Sequence, residues 1–105
     1  WVKLSGPEES SNERPRHGQM PRYRDVERIA RLLIRFAPER LVWGSNWPHP
    51  SARGEVPDDR LLLDLLGEWT EDEGLRRRIL VDNATALFGF PEPVPAEPAP
   101  GMVVR

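Results

Sequence analysis

Residues 40–50 of the chain read RLVWGSNWPHP, and this stretch decides the fold. Its apolar run, residues 41–43, ends in small and polar residues and then in His49, which lies between two prolines. The pattern is typical of a buried parallel strand that reaches the surface at its C-terminal end, where α/β proteins bind their ligands. Residues 40–45 are therefore predicted to form a strand, and residues 46–57 a loop at the edge of a cleft.

The composition of the chain excludes several classes of function. Its 105 residues are 38% hydrophobic and 30% charged, which allows one small domain at most. The formal net charge of −2, with acidic and basic residues intermixed, predicts no nucleic-acid partner and no membrane partner. The absence of cysteine excludes disulfides and thiolate metal sites. No signal peptide and no apolar run of roughly 20 residues is visible, so we expect a cytoplasmic protein.

Two predicted elements precede the quoted stretch. Residues 1–5 alternate between apolar and polar side chains and stop at a Gly-Pro turn signal, which predicts a strand. A polar segment, residues 8–22, is predicted to be a loop, and residues 23–37 a helix. The apolar positions of this helix recur at helical spacing: Val26, Ile29, Ala30, Leu33 and Phe36. Because the chain opens within a predicted strand, we expect that the rest of the protein lies upstream.

The second half of the chain is predicted to be helical up to a proline-rich tail. A helix is predicted over residues 58–69, and the capping-box sequence at residues 70–73 predicts that a new helix begins at Thr70. Asp82 and Asn83 are predicted to cap a last short helix, residues 84–88, and to tie the helices together. Residues 1–90 thus form the predicted domain, and residues 91–105 a flexible tail rich in proline.

The order strand, helix, strand predicts that the two strands pair in parallel, because a crossover of this length contains a helix. Two parallel strands do not make a stable sheet by themselves, since both faces and both edges need cover. We therefore expect either further strands in the natural protein or an oligomer that supplies them.

Three motifs in this order carry a family resemblance: WVKLSG at residues 1–6, WGSNWPHP at 43–50, and RILVDNA with LFGF within 78–90. They resemble the C-terminal part of the amidohydrolase-related metal-dependent hydrolases, in particular the 2-pyrone-4,6-dicarboxylate hydrolase-like lactonases. The resemblance implies an α/β fold that is the C-terminal portion of a (β/α)8 TIM barrel, with its last two strands and their helices. Residues 1–5 and 40–45 are then the seventh and eighth strands.

The resemblance also implies a reaction. Members of the family hydrolyse a lactone, amide or related carbonyl bond of a small molecule by attack of an activated water, and some use a divalent metal. The His-x-His pair that the family carries after its first strand has no counterpart here, so no metal ligand is predicted in this chain and the cofactor of a complete protein stays open. For the same reason we expect the chain alone to be inactive.

The resemblance places Asn46 where family members carry a catalytic Asp. An amide has no basic lone pair near neutral pH, so Asn46 cannot take over the role of the carboxylate directly. A different mechanism, another base and lost activity are all open. Asn46 and His49 are the candidate catalytic residues, although Asn46 can equally cap a turn and His49 can be structural.

Four further residues are candidates for substrate binding. Ser45 and Trp47 flank Asn46, and Trp47 has packing as its alternative role. Arg14 and Arg16 lie in the first loop, where a guanidinium is suited to clamping a substrate carboxylate. The related lactonases place such an Arg directly after the seventh strand, but Glu8 and Glu9 occupy these positions here and are predicted to repel an anion.

A second class of function stays open from the sequence. The chain is either a portion of a hydrolase or a non-catalytic barrel remnant that binds a protein partner through its open sheet edge.

Overall fold

The computed structural model describes residues 1–52, 54–91, 94–95 and 100–101. Its strands are β1 (Val2–Leu4) and β2 (Leu41–Trp43). Its α-helices are α1 (Pro7–Ser10), α2 (Arg24–Phe36), α3 (Asp59–Trp69), α4 (Glu73–Arg77) and α5 (Asn83–Phe88). A 3-10 turn, Pro38–Arg40, precedes β2, and a π-helical turn, Arg78–Asp82, joins α4 to α5. The predicted tail, residues 91–105, lies largely outside the described residues.

The two strands pair in parallel, as predicted. Val2 lies opposite Leu41, and Leu4 lies opposite Trp43. Both strands are shorter than the predicted ranges 1–5 and 40–45, although the backbone N–H of Gly44 still donates to the carbonyl of Leu4 at 3.2 Å. Because the strands are parallel, the segments that follow them leave from the same edge of the sheet.

One helix lies where the sequence predicts a loop. Gly6 adopts a left-handed conformation with φ 62°, and Pro7 then occupies the first position of α1. Proline suits this position because its fixed φ is helical and its missing N–H has no helical partner there. The prediction of a loop over residues 8–22 was therefore wrong for residues 8–10, and the turn buries the side chain of Glu8.

Helix α2 confirms the predicted helix to within one residue at each end. Ala30 is buried and Val26 and Leu33 pack against the core, but two of the five apolar positions at helical spacing are exposed. Ile29 is 60% exposed and Phe36 is 73% exposed, because no element among the described residues covers that side of the helix.

The C-terminal helices differ from prediction at two caps. Asp72, not Thr70, caps α4 by accepting a hydrogen bond from the backbone N–H of Leu75 at 3.1 Å, while Thr70 ends α3. Asp82 has helical backbone angles and makes no cap hydrogen bond, so residues 73–88 continue through the π-helical turn without a break. Asn83 instead donates to the carbonyls of Pro38 and Leu41 at 2.7 and 2.8 Å. The predicted cap was wrong, and Asn83 ties α5 to the 3-10 turn and to the start of β2, where the sequence predicted that Asp82 and Asn83 tie the helices to one another.

The core lies between the sheet and helices α2 and α3. Its buried side chains come from both strands, from both helices and from the π-helical turn: Leu4, Tyr23, Ala30, Ile34, Leu41, Leu62, Leu65, Leu66, Trp69 and Ile79. No helix among the described residues has the length and apolar character needed to cross a membrane.

Candidate active site

The candidate site lies at the edge of the sheet where β1 and β2 end. The segment after β1 turns at Gly6 into α1, which carries Glu8 and Glu9. The segment after β2 carries Asn46 and His49 and leads to Asp59, the first residue of α3. The parallel pairing of the strands thus brings together side chains that are far apart in the sequence.

Local backbone geometry sets the direction of the two predicted residues. Asn46 and His49 have left-handed φ values of 66° and 59°, and the backbone N–H of His49 donates to the carbonyl of Asn46 at 2.7 Å. Asn and His are among the side chains that tolerate this conformation best. Gly6 faces the same turn: a Cβ atom there would lie 3.4 Å from Nδ2 of Asn46, and its φ of 62° strains any larger residue.

A chain of hydrogen bonds joins three charged side chains. Nδ1 of His49 lies 2.7 Å from Oε1 of Glu8, and Nε2 lies 2.7 Å from Oδ1 of Asp59. Nδ2 of Asn46 donates to the same Oε1 of Glu8 at 2.9 Å and to Oε1 of Glu9 at 3.3 Å. Glu8, His49 and Asp59, with His49 in the middle, are called the Glu8–His49–Asp59 chain below.

Burial and charge determine the state of His49. Its side chain is 1% exposed and that of Glu8 is 4% exposed, whereas Asp59 is 44% exposed. Burial by itself lowers the pKa of His49, but the hydrogen bonds and charges of Glu8 and Asp59 outweigh burial and raise the pKa. A protonated imidazole donates from both ring nitrogens, which matches a carboxylate oxygen at each of them.

Several buried side-chain atoms have no hydrogen-bond partner among the described residues, and they include Oε2 of Glu8 and the hydroxyl of Tyr23. Burial, and then the charge of Glu8, raises the pKa of Tyr23 to about 12. Glu8 also lines an open cavity of about 400 Å³. The other residues that line it are Glu9, Arg14, Pro15, Ser51, Ala52, Glu55 and Pro57.

The structure brings Asn46 and His49 together, and it places Arg14 nearby. The guanidinium of Arg14 donates to the backbone carbonyls of Ser11 and Glu13, and the side chain lines the cavity. Arg16 is exposed, pairs with Gln19 through its backbone, and does not line that cavity.

Ser45 and Trp47 have no side-chain role inside the site as described. Oγ of Ser45 accepts a hydrogen bond from the backbone N–H of Trp47 at 3.2 Å. Trp47 is 75% exposed among the described residues, and both its packing role and its substrate role stay predictions.

Two members of the site were not found from the sequence. Glu8 was interpreted only as a charge that repels an anion, and Asp59 only as the start of a helix. The Gly-Pro pair before Glu8 is the one local signal that points to a helix start there, and it gives no sign that the side chain is buried. Asp59 lies 10 positions from its partner His49, a separation at which no local pattern operates.

The described residues do not fit a metal ion. No group of three or more His, Cys, Asp or Glu side chains in the described ranges is arranged to hold one. Both ring nitrogens of His49 already face carboxylates, and Asn46 presents its amide N–H group to Glu8 and Glu9.

Comparisons with known proteins agree on one family. The amidohydrolase family model matches residues 1–90. A 2-pyrone-4,6-dicarboxylate hydrolase of Comamonas testosteroni is 38% identical over 90% of this chain and 31% of its own length. A D-galactarolactone isomerase of Agrobacterium fabrum is 44% identical over 84% of this chain and 29% of its own.

Further matches point the same way. A 4-sulfomuconolactone hydrolase of Hydrogenophaga intermedia is 42% identical over 85% of this chain and 28% of its own. The apo crystal structure of an Agrobacterium tumefaciens protein superposes with a TM-score of 0.73 at 43% identity, over 90% of this chain and 31% of that one. The chain spans about a third of the length of the relatives it matches. The resemblance predicted from the three motifs is confirmed.

Proposed function

The chain belongs to the amidohydrolase family, and we propose that it is part of an enzyme that opens a lactone, or a related cyclic ester or amide, by attack of an activated water. One observation carries the proposal. Glu8, Asn46 and His49 form a hydrogen-bonded cluster where two parallel strands end, and Glu8 lines a cavity there. This is the end of the strands at which barrel enzymes hold their substrates.

The position of the chain in a larger fold is part of the proposal. Residues 1–5 and 40–45 supply the last two strands of a TIM barrel, and most of the substrate pocket comes from the rest of the barrel. The chain alone is then inactive, because it holds one edge of the pocket. The predicted cytoplasmic location stays a prediction.

The predicted site residues take the following roles. Asn46 orients the acidic side chains around it, since its amide donates to Glu8 and Glu9 and cannot act as a base. Arg14, on the wall of the cavity, pairs with an anionic group of the substrate. Ser45, Trp47 and Arg16 stay predicted substrate contacts at the rim.

A second candidate function is the isomerisation of a lactone. One relative is named a D-galactarolactone isomerase and is 44% identical to this chain. In that reaction a hydroxyl group of the substrate, not water, attacks the carbonyl carbon, so one ring ester is exchanged for another. The two functions share the opening of the ring, and they differ in whether solvent oxygen enters the product.

The replacement Asn46→Asp tests the proposed function in the complete gene product. A carboxylate at this position lies within about 3 Å of those of Glu8 and Glu9, and like charges at such distances destabilise one another. We expect that the natural protein turns over members of a panel of carboxylated and neutral lactones. In Asn46→Asp we expect the turnover rate to fall by roughly 100-fold, because catalytic groups are displaced.

Gln19→Glu is the matched control, because it makes the same chemical change at an exposed position. It is expected to keep natural turnover. A gain of turnover in Asn46→Asp means that the site is not built around the amide. No turnover of any lactone by the natural protein contradicts the function and favours a protein-binding module.

A further inference from the structure

We propose that Glu8 is the base that takes the proton from the attacking nucleophile, and that His49, held by Asp59, is the residue that positions it. This inference rests on the proposed function and assigns a role to residues that the family resemblance does not. It starts from an acidic residue whose two carboxylate oxygens have different surroundings.

The two oxygens of Glu8 are not equivalent. Oε1 receives hydrogen bonds from Asn46 at 2.9 Å and from His49 at 2.7 Å, which together fix the plane of the carboxylate. Oε2 is buried and has no hydrogen-bond partner among the described residues. Buried polar atoms are nearly always paired, and because Glu8 lines a cavity, we assign the unpaired Oε2 to a group of the bound ligand.

The neighbours of Glu8 are less suited to the role. The amide of Asn46 has no basic lone pair. His49 is 1% exposed, and a carboxylate oxygen faces each of its ring nitrogens. Of the other acidic residues that line the cavity, Glu9 and Glu55 are exposed, and Glu55 already accepts from the backbone N–H of Gly18 at 3.2 Å. Glu8 is therefore the desolvated and oriented carboxylate of the cavity.

The reaction balances with Glu8 as the only proton carrier. Oε2 takes the proton of the nucleophile as its oxygen forms a bond to the carbonyl carbon and the carbonyl electron pair moves to the carbonyl oxygen. When this pair returns, the ring carbon–oxygen bond breaks, and Glu8 gives the proton to the departing ring oxygen. Water is added across one bond, and Glu8 ends as the carboxylate with which it began.

His49 and Asp59 act through Glu8. A protonated His49 donates to Glu8 and so keeps its carboxylate oriented, and Asp59 helps to keep His49 protonated. Glu8 on α1 and Asp59 on α3 are the charged groups that face the His49 ring. Loss of the imidazolium at high pH releases one of the two hydrogen bonds, so activity falls on the alkaline side.

The test is steady-state kinetics of the complete gene product on a neutral lactone that the natural protein turns over. For Glu8→Gln we expect kcat to fall by roughly 100- to 10,000-fold with KM little changed, as for the loss of a general base. Glu39→Gln, an exposed residue in the 3-10 turn before β2, is the matched control and keeps natural kinetics. A natural kcat in Glu8→Gln overturns the proposal while the proposed function stands, whereas an inactive natural protein overturns the proposed function itself.

Asp59→Asn tests the positioning role by its pH profile. Removal of the Asp59 carboxylate lowers the pKa of His49, so the alkaline fall of kcat/KM is expected to move to lower pH. Asp64→Asn on the same helix is the control, and its alkaline fall is expected to stay at the natural pH. An unmoved alkaline limb in Asp59→Asn overturns the role of His49 and Asp59.

If Glu8→Gln does not fold, Glu8→Asp decides the role of Glu8. This variant keeps a carboxylate on a shorter side chain, so kcat is expected to fall with KM little changed, because a base must lie within hydrogen-bond reach of the proton that it takes. A natural kcat in Glu8→Asp overturns the assignment of Glu8.

Discussion

His49 takes its charge state from the carboxylates on either side of its ring. Glu8 and Asp59 raise the pKa of His49 above the ordinary value of 6.5. The folded protein therefore binds the proton of His49 more strongly than the unfolded chain does. This stabilisation is fully present below pH 6.5 and is lost as the pH rises through the raised pKa of the folded state.

The pH dependence of unfolding by urea tests this at the level of one residue. His49→Asn is expected to lower the free energy of unfolding of the complete gene product by about 1.5–3 kcal/mol near pH 6, the range for hydrogen bonds to charged groups. The difference from the natural protein is expected to shrink as the pH rises toward 9. His17→Asn, an exposed site, is the control. A difference that grows with pH contradicts a protonated His49.

The Glu8–His49–Asp59 chain and its neighbour Asn46 comprise four residues, and the sequence analysis named two of them, Asn46 and His49, as site candidates. Asn46 and His49 were predicted because they follow a strand, and the end of a parallel strand is a local signal. Glu8 lies 38 positions from Asn46 and 41 from His49, so its burial depends on a tertiary contact. Charged residues in a polar segment are usually solvated, and the loop was interpreted that way.

Among the elements, β2 is tied to the C-terminal helices by one side chain. Asn83 donates from its amide to the carbonyls of Pro38 and Leu41, and the bond to Leu41 is buried. These carbonyls belong to the turn before β2 and to its first residue, so the bonds fix where the strand begins.

We expect Asn83→Ala to lower the free energy of unfolding by about 1–3 kcal/mol, because it leaves buried carbonyl groups without a donor. Chemical denaturation of the complete gene product measures the change. Asn12→Ala, at an exposed position, is the matched control and is expected to unfold like the natural protein. An equal stability of both variants contradicts the role assigned to Asn83.

Helices α2 and α3 and both strands were predictable from local patterns, and helix α1 was not. Helices α2 and α3 show the spacing of apolar residues that a helix against a core requires, and the crossover length predicted parallel strands. Helix α1 has four residues, too few to form without tertiary support. Asp72 rather than Thr70 caps α4, and Asn83 bonds to the carbonyls of Pro38 and Leu41. Both outcomes depend on where neighbouring elements end.

On the scale of the whole molecule, the described residues leave large apolar side chains uncovered. Trp1 and Val2, at β1, are 49% and 44% exposed, and Ile29 and Phe36 on α2 are 60% and 73% exposed. The sheet of the described residues has two strands, as few as a sheet can have. These faces accord with a chain that spans about a third of its relatives, and they are the reason that its activity is proposed for the complete gene product.

Hydrolysis of a lactone in water labelled with the heavy isotope of oxygen, followed by mass spectrometry of the product, is the most direct test of the proposed function. With the complete gene product, the acyclic acid is expected to carry one solvent oxygen in its new carboxyl group, at a rate that the isolated residues 1–105 do not reach. An isomerised lactone without solvent oxygen contradicts hydrolysis and supports the second candidate function. A lactone that stays unchanged contradicts a carbonyl-directed site at the end of these strands.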